Sequence, residues 1–343
     1  MKRRYYFMDV LNIIATLAVI FLHTSEFAFN YEPTLRWGVA VVIQIAFIWA
    51  VPIFFMISGA NLLNYRERYD TKTFFKKRLG KVLVPFLAWS LIWYIFNHFY
   101  FLNHDWGIRN FFDLLMHGQI QAVFWFFYFI IPFYFAVPFL SLITTRENKK
   151  TVLYVIAWFI LGVGIVGYTH SLRATPLDSL FSNMPLIMST GIGFFFAGWY
   201  LQQFPPAKSQ KKWYALGSVL AFLFMLGLTV YMSHQAGKTI NAVYSIFSIG
   251  GFFLPLGIWV YVRDALENWE PSPKMATWLK RLSGASLGVY VIHEFIIYIA
   301  ENTYHLQAGS WWHIIVFPWF VWVLSIAITL ALQKIPVINR LMP

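Results

Sequence analysis

The chain has 343 residues, of which 59% are apolar and only 12% charged, about half the charged share usual in soluble domains. A water-soluble fold of this length could not hide about 200 apolar positions behind so few charges, which excludes a soluble enzyme, a fibrous protein and a nucleic-acid-binding module. The net charge of +12 is no nucleic-acid footprint, because Lys and Arg sit in short stretches between apolar runs; with no cysteine, disulfides, thiolate metal sites and a Cys nucleophile are also out.

Apolar runs long enough to span a bilayer occur at about 7–28, 38–63, 82–102, 123–144, 152–168, 184–204, 214–233, 240–262, 285–300 and 313–333. They predict an all-α integral membrane protein with about ten transmembrane helices, forming a single domain over residues 1–343. The runs are continuous rather than alternating, which argues against a β-barrel. The first begins after Lys2, Arg3 and Arg4, is too long for a signal-peptide core, and has no small-residue cleavage site after His23; it reads as a retained helix. The fifth and ninth runs are short and would tilt less or borrow flanking residues. No linker, low-complexity tract or internal repeat is visible.

With the N-terminus inside, only Arg36, Arg109, Arg173 and Lys238 fall on outer loops, and the other 22 of the 26 cations fall on inner ones. The positive-inside bias then puts both termini in the cytoplasm and the chain in the cell membrane.

Ionisable groups inside a bilayer are costly and suggest function. One stripe of the first helix carries Asp9, Asn12, His23 and Glu26, since steps of 11, 14 and 3 residues return to nearly the same face. His23 lies about 24 Å along that helix, in the outer third of the membrane. It is either an interfacial histidine or a base or acyl acceptor, as imidazole exchanges protons near neutral pH. In the ninth run His293 and Glu294 follow Ser286 and Tyr290. As neighbours they point about 100° apart, so they are not expected to face one small site together, and His293 is equally well a packed structural residue. Lys76, Lys77, Arg78 and Lys81 enter the third run and could hold the phosphates of a cytoplasmic cofactor, or simply anchor the helix. Ser58-Gly59 is a small pair that permits close helix contact. No Walker A loop, Rossmann glycine pattern, HExxH or nucleophile elbow is present, and no metal is expected.

Taken together, five blocks in order resemble the acyltransferase-3 family of integral membrane acyltransferases. They are Met8-Asp9 through Asn12 with His23-Thr24; Val51-Pro52 through Ser58-Gly59; Lys77-Arg78 through Lys81, Pro85 and Trp89; Phe124-Trp125 through Tyr128, Tyr134 and Pro138; and Ser286 through Tyr290 and His293. The compact form looks most like O-acetyltransferases acting on cell-surface glycans. The resemblance implies a ten-helix core, acetyl-coenzyme A as co-substrate, and an acceptor hydroxyl on a lipid-linked or surface saccharide. It puts the family's catalytic histidine on His23. The family's Arg ten residues before that histidine's neighbour falls on Asn12, a departure that replaces a planar cation with a neutral amide. Its cytoplasmic Arg-x-x-Arg pattern falls on Arg78 and Lys81, where Lys keeps charge and loses bidentate geometry.

The reading that follows is a membrane O-acyltransferase, more narrowly an O-acetyltransferase modifying polysaccharide. Its catalytic candidates are His23, Glu26, Asp9, Asn12 and His293, and its donor-binding candidates are Lys77, Arg78 and Lys81. The expected partners are the lipid bilayer, acetyl-CoA and a saccharide or glycolipid acceptor, with no nucleic acid and with oligomers permitted. The rivals are a proton-coupled small-solute transporter using His293 and Glu294, and a catalytically inactive family member.

Overall fold

A computed structural model of the protein describes residues 4–101, 105–162 and 191–342. Among the described residues every regular element is helical and none is a strand. Helices suit a bilayer because each backbone polar group is satisfied within its own segment. In chain order they are α1 (Tyr6–Thr24), α2 (Leu35–Phe47), α3 (Ala50–Leu62), α4 (Thr71–Phe96), α5 (Ile108–Met116), α6 (Trp125–Ile143), α7 (Lys149–Phe159), α8 (Ile192–Gln203), α9 (Lys208–Ala236), α10 (Ile249–Leu266), α11 (Pro273–Gly284), α12 (Ser286–Asn302) and α13 (Phe317–Leu332).

Among the described residues, seven helical stretches are long and apolar enough to cross a bilayer, and eight if α11 and α12, bent by 56° at their junction, make one broken span. The protein is therefore a multi-pass membrane protein. The runs at 152–168 and 184–204 lie partly outside the described residues, and α7 and α8 are their described parts. Lys2, Arg3 and Arg173, assigned to loops from the charge pattern, also lie outside them.

Three runs have boundaries that an apolar count does not reveal. The run 38–63 divides into α2 and α3 at Ile48–Trp49, because Pro52 has no N–H to give the Ile48 carbonyl. The run expected from 82 begins already at Thr71, where the Asp70 side chain accepts the Thr73 N–H at 2.6 Å and caps α4. That bond holds the Asp70 carboxyl below the usual carboxylate range. The basic segment Lys76–Lys81 thus rides on the first turns of α4 itself. The run 285–300 is preceded by α11, and the bend between α11 and α12 falls at Ala285.

α1 is the central strut, touching α2, α3, α10, α11, α12 and α13. Its inward residues Leu11, Ala15 and Ala18 are fully buried, and the alanines let neighbouring helices approach closely. The tightest seam lies between α3 and α8. A Cβ on Gly59 would run into the Phe195 backbone, and one on Gly198 into the Met56 backbone. Away from this core, Leu87, Leu91 and Ile95 on α4 and Leu216, Leu220 and Leu223 on α9 are exposed, which suits a lipid-facing surface.

The bundle has two chemically different ends. At one, the basic segments interlock: Arg4 with Asp9, Arg66 with Ser141 at 2.9 Å, Lys211 with Asp264, and Arg263 with the Leu201 carbonyl. At the other end meet Tyr31 and His234 at 2.7 Å, Trp37 and the Ala28 carbonyl at 3.0 Å, and His313 and Glu301 at 2.9 Å.

Candidate active site

His23 sits in the last turn of α1, on the side of the bundle away from Arg4. Its Nδ1 lies 3.1 Å from Glu26 Oε1 and 3.3 Å from Glu294 Oε1. Glu26 reaches it because the chain leaves α1 in a 3-10 turn, Glu26–Phe29, that keeps the carboxylate over the helix end. Its side chain is 59% exposed, whereas that of Glu294 is 6% exposed.

The structure corrects the expectation that His293 and Glu294 cannot share a site. His293 Nε2 lies 3.4 Å from Glu294 Oε1, and the rings of His23 and His293 are 5.3 Å apart. The 100° between adjacent helix positions holds at Cβ, but the side-chain ends still meet, with His23 Nδ1 and His293 Nε2 both against Glu294 Oε1. His293 is fully buried, and its Nδ1 stands 3.2 Å from the Val289 carbonyl one turn earlier.

Two cavities meet at His23. One, of about 360 Å³, runs towards the basic end and is lined by Asn12, His23, Arg78, Lys81, Tyr134 and His293 among others. Its remaining walls are largely apolar, including Val51, Phe54, Ile57 and Ile130. The other, of about 710 Å³, opens at the opposite end and is lined by His23, Glu26, Gln121, Glu294, Glu301 and His313 together with aromatic residues. His23 is the one titratable side chain among the described residues that lines both.

The sequence candidates separate cleanly on this geometry. Arg78 and Lys81 both line the narrower cavity, and the buried Arg78 Nε has no hydrogen-bond partner among the described residues. Lys77 turns away and lies 4.3 Å from the Tyr69 ring. Asn12 lines the same cavity as His23, but its Nδ2 is spent on the Ser283 carbonyl at 2.9 Å, Ser283 Oγ at 3.1 Å and Ser286 Oγ at 2.8 Å. It ties α1 to the bend between α11 and α12. Asp9 stands apart from both cavities, gripped by Arg4 through two contacts of 2.7 Å.

A family profile described as an acyltransferase domain matches residues 5–332. The chain belongs to the acyltransferase-3 family. No curated protein and no solved structure matches it. Membership makes the protein a membrane acyltransferase, and the match takes in His23, the basic start of α4 and the His293-Glu294 pair. Asn12 serves in this acyltransferase as a helix-to-helix tie.

Several residues around the acyltransferase cavities gave little warning in the sequence. In the sequence Glu294 stands out only beside His293, as half of a rival proton relay, with nothing to join it to His23. Glu301 and His313 pair across the turn between α12 and α13, a spacing with no periodic signal. Ser283 and Ser286 acquire meaning only through Asn12. What marked Glu294 and His313 was simply a polar group in an apolar run.

Proposed function

We propose that this acyltransferase moves an acetyl group from cytoplasmic acetyl-coenzyme A to a hydroxyl of a cell-surface or lipid-linked saccharide. The observation that carries the reading is the position of His23 as the single titratable group, among the described residues, common to both cavities. A base at that junction can serve a donor coming from one face and an acceptor coming from the other.

Arg78 and Lys81 would hold the donor's phosphates. An unpaired guanidinium N–H and an exposed ammonium suit anions, and the apolar walls beyond them suit a thin, uncharged arm. Acetyl-coenzyme A supplies an activated acyl group whose C–S bond breaks as the acetyl passes to the acceptor oxygen. His23 does the proton work. With its Nδ1–H directed at Glu26 and Glu294, Nε2 keeps a lone pair for the acceptor hydroxyl proton. The adjacent carboxylates then stabilise the imidazolium that forms. His23 next returns that proton to the departing thiolate.

In this reading ten helices span the cell membrane, with both termini cytoplasmic and the larger cavity facing out. A reporter inserted near Gly107 should be external and one fused after Pro343 cytoplasmic; finding both on one side would overturn the topology. For the activity, purified protein supplied with acetyl-coenzyme A and surface polysaccharide should release coenzyme A and acetylate the polysaccharide. A transporter or an inactive scaffold releases none.

A further inference from the structure

We propose that His23, His293 and Glu294 form a binding site for a divalent transition ion, Zn²⁺ foremost, and that occupancy of this site switches the acyltransferase off. The binding half stands on geometry alone, and the inhibitory half rests on the proposed role of His23 as base.

Three donors from α1 and α12 converge here, their ligating atoms all within 4.8 Å of one another. A tetrahedral ion held at about 2.0–2.2 Å separates its ligand atoms by roughly 3.3–3.6 Å. Two of the three separations, 3.3 Å between His23 Nδ1 and Glu294 Oε1 and 3.4 Å between His293 Nε2 and the same oxygen, fall in that range, and the two histidine nitrogens, within 4.8 Å of each other, close on the ion by a small ring movement. Both exceed the 2.7–3.2 Å of ordinary N–H···O bonds. Correspondingly, His293 Nε2 and Glu294 Oε1 are buried without a hydrogen bond among the described residues. Their side chains are 0% and 6% exposed, so neither can turn to solvent.

His293 is also in the right tautomer to be a ligand. Its Nδ1 faces the Val289 carbonyl at 3.2 Å, and donating there leaves Nε2 with a lone pair aimed at Glu294. A backbone carbonyl on the far nitrogen is the usual support of a metal-bound imidazole. Two imidazoles and one carboxylate suit Zn²⁺, whereas Mg²⁺ and Ca²⁺ prefer all-oxygen shells. Three protein ligands leave a fourth position open towards the larger cavity, whose Glu26 and Glu301 would draw cations in.

The consequence for catalysis follows from imidazole chemistry. A cation bound at His23 Nδ1 takes the lone pair of that nitrogen, so the neutral ring's single proton must shift from Nδ1 to Nε2. The lone pair that would accept the acceptor's hydroxyl proton is then gone. It also withdraws Glu294 from the support of an imidazolium.

The test uses purified, tag-free, full-length protein in detergent, titrated with Zn²⁺ against a fluorescent zinc chelator. Wild type should bind one ion per chain, unmoved by excess Mg²⁺, and His293→Gln and Glu294→Gln should each weaken that site at least tenfold. X-ray absorption on the zinc-loaded wild type, which needs no variant to fold, should show two imidazoles and one carboxylate at about 2.0–2.2 Å. Absence of stoichiometric zinc, wild-type affinity in both variants, or a shell without two imidazoles would overturn the site. Coenzyme A release should fall as the site fills and recover on chelation. Release left unchanged by a filled site would remove His23 as base and leave the metal site standing.

Discussion

The two faces of α3 meet very different surroundings, although Ser58 and Gly59 are neighbours in sequence. Gly59 faces α8 in a seam so tight that even a Cβ would strike the Phe195 backbone. Ser58 lines the cavity that runs between His23 and Arg78. Dispersion and close packing hold the first face, because helices in lipid have no hydrophobic force between them. The second face is kept open by groups that pack poorly against one another, among them Asn12, Arg78, Tyr134 and His293. One helix therefore fixes the scaffold and borders the reaction path, with the glycines marking where backbones must touch and the polar groups where they must not.

The largest effect is expected in the seam. Gly198→Leu should cost more than the roughly 1–3 kcal/mol of ordinary overpacking, since the Met56 backbone cannot rotate aside. Recovery of monodisperse protein should collapse, whereas Ser58→Leu one face away should leave recovery near normal and fill the cavity instead. Size-exclusion profiles of the two variants check this; equal losses would erase the distinction between the faces.

The second effect lies at the cavity's basic end. Replacing Arg78 and Lys81 together with Gln should weaken donor binding at least tenfold, as each charged hydrogen bond is worth about 1.5–3 kcal/mol. Lys77→Gln should change it little, because that ammonium sits over Tyr69. Equilibrium binding of coenzyme A to the three proteins decides, and unchanged affinity in the double variant would return both residues to membrane anchoring.

A smaller effect separates the two carboxylates at His23. Glu294, buried between both histidines, should matter more to turnover than Glu26, which water screens. Glu294→Gln should lower turnover roughly tenfold or more, with donor binding retained, and Glu26→Gln should lower it by less. The reverse order would make the exposed carboxylate the orienting group.

Much of this arrangement was legible in the sequence, and particular residues show where legibility ends. Helicity, membrane insertion and the closeness permitted by Gly59 follow from continuous apolar runs and residue size. His23 stood out because a titratable ring in an apolar run is costly. Helix boundaries were less accessible. Pro52 breaks a run that hydropathy reads as one, and Asp70 starts α4 well before its apolar stretch begins. The pairing of His23 with Glu294 was hidden, because face arithmetic describes Cβ directions and not where a flexible side chain ends. Asn12 shows a related limit: its role depends on Ser283 and Ser286, some 270 positions away, which only the fold brings near.

The central claim is that His23 works on protons for reactants drawn from two cavities, and His23→Ala tests it most directly. Acetyl transfer to polysaccharide should be measured in wild type and variant at matched, folded concentrations, with coenzyme A binding followed in parallel. General-base assistance contributes about 10²–10⁴-fold, so transfer should fall by at least a hundredfold. Coenzyme A binding at Arg78 and Lys81 should stay near the wild-type value. The wild-type rate should also climb as pH is raised through neutrality, since a protonated imidazole accepts no proton, and the variant's residual rate should lose that rise. A folded His23→Ala protein that acetylates at close to the wild-type rate, with the same pH profile, would contradict the account.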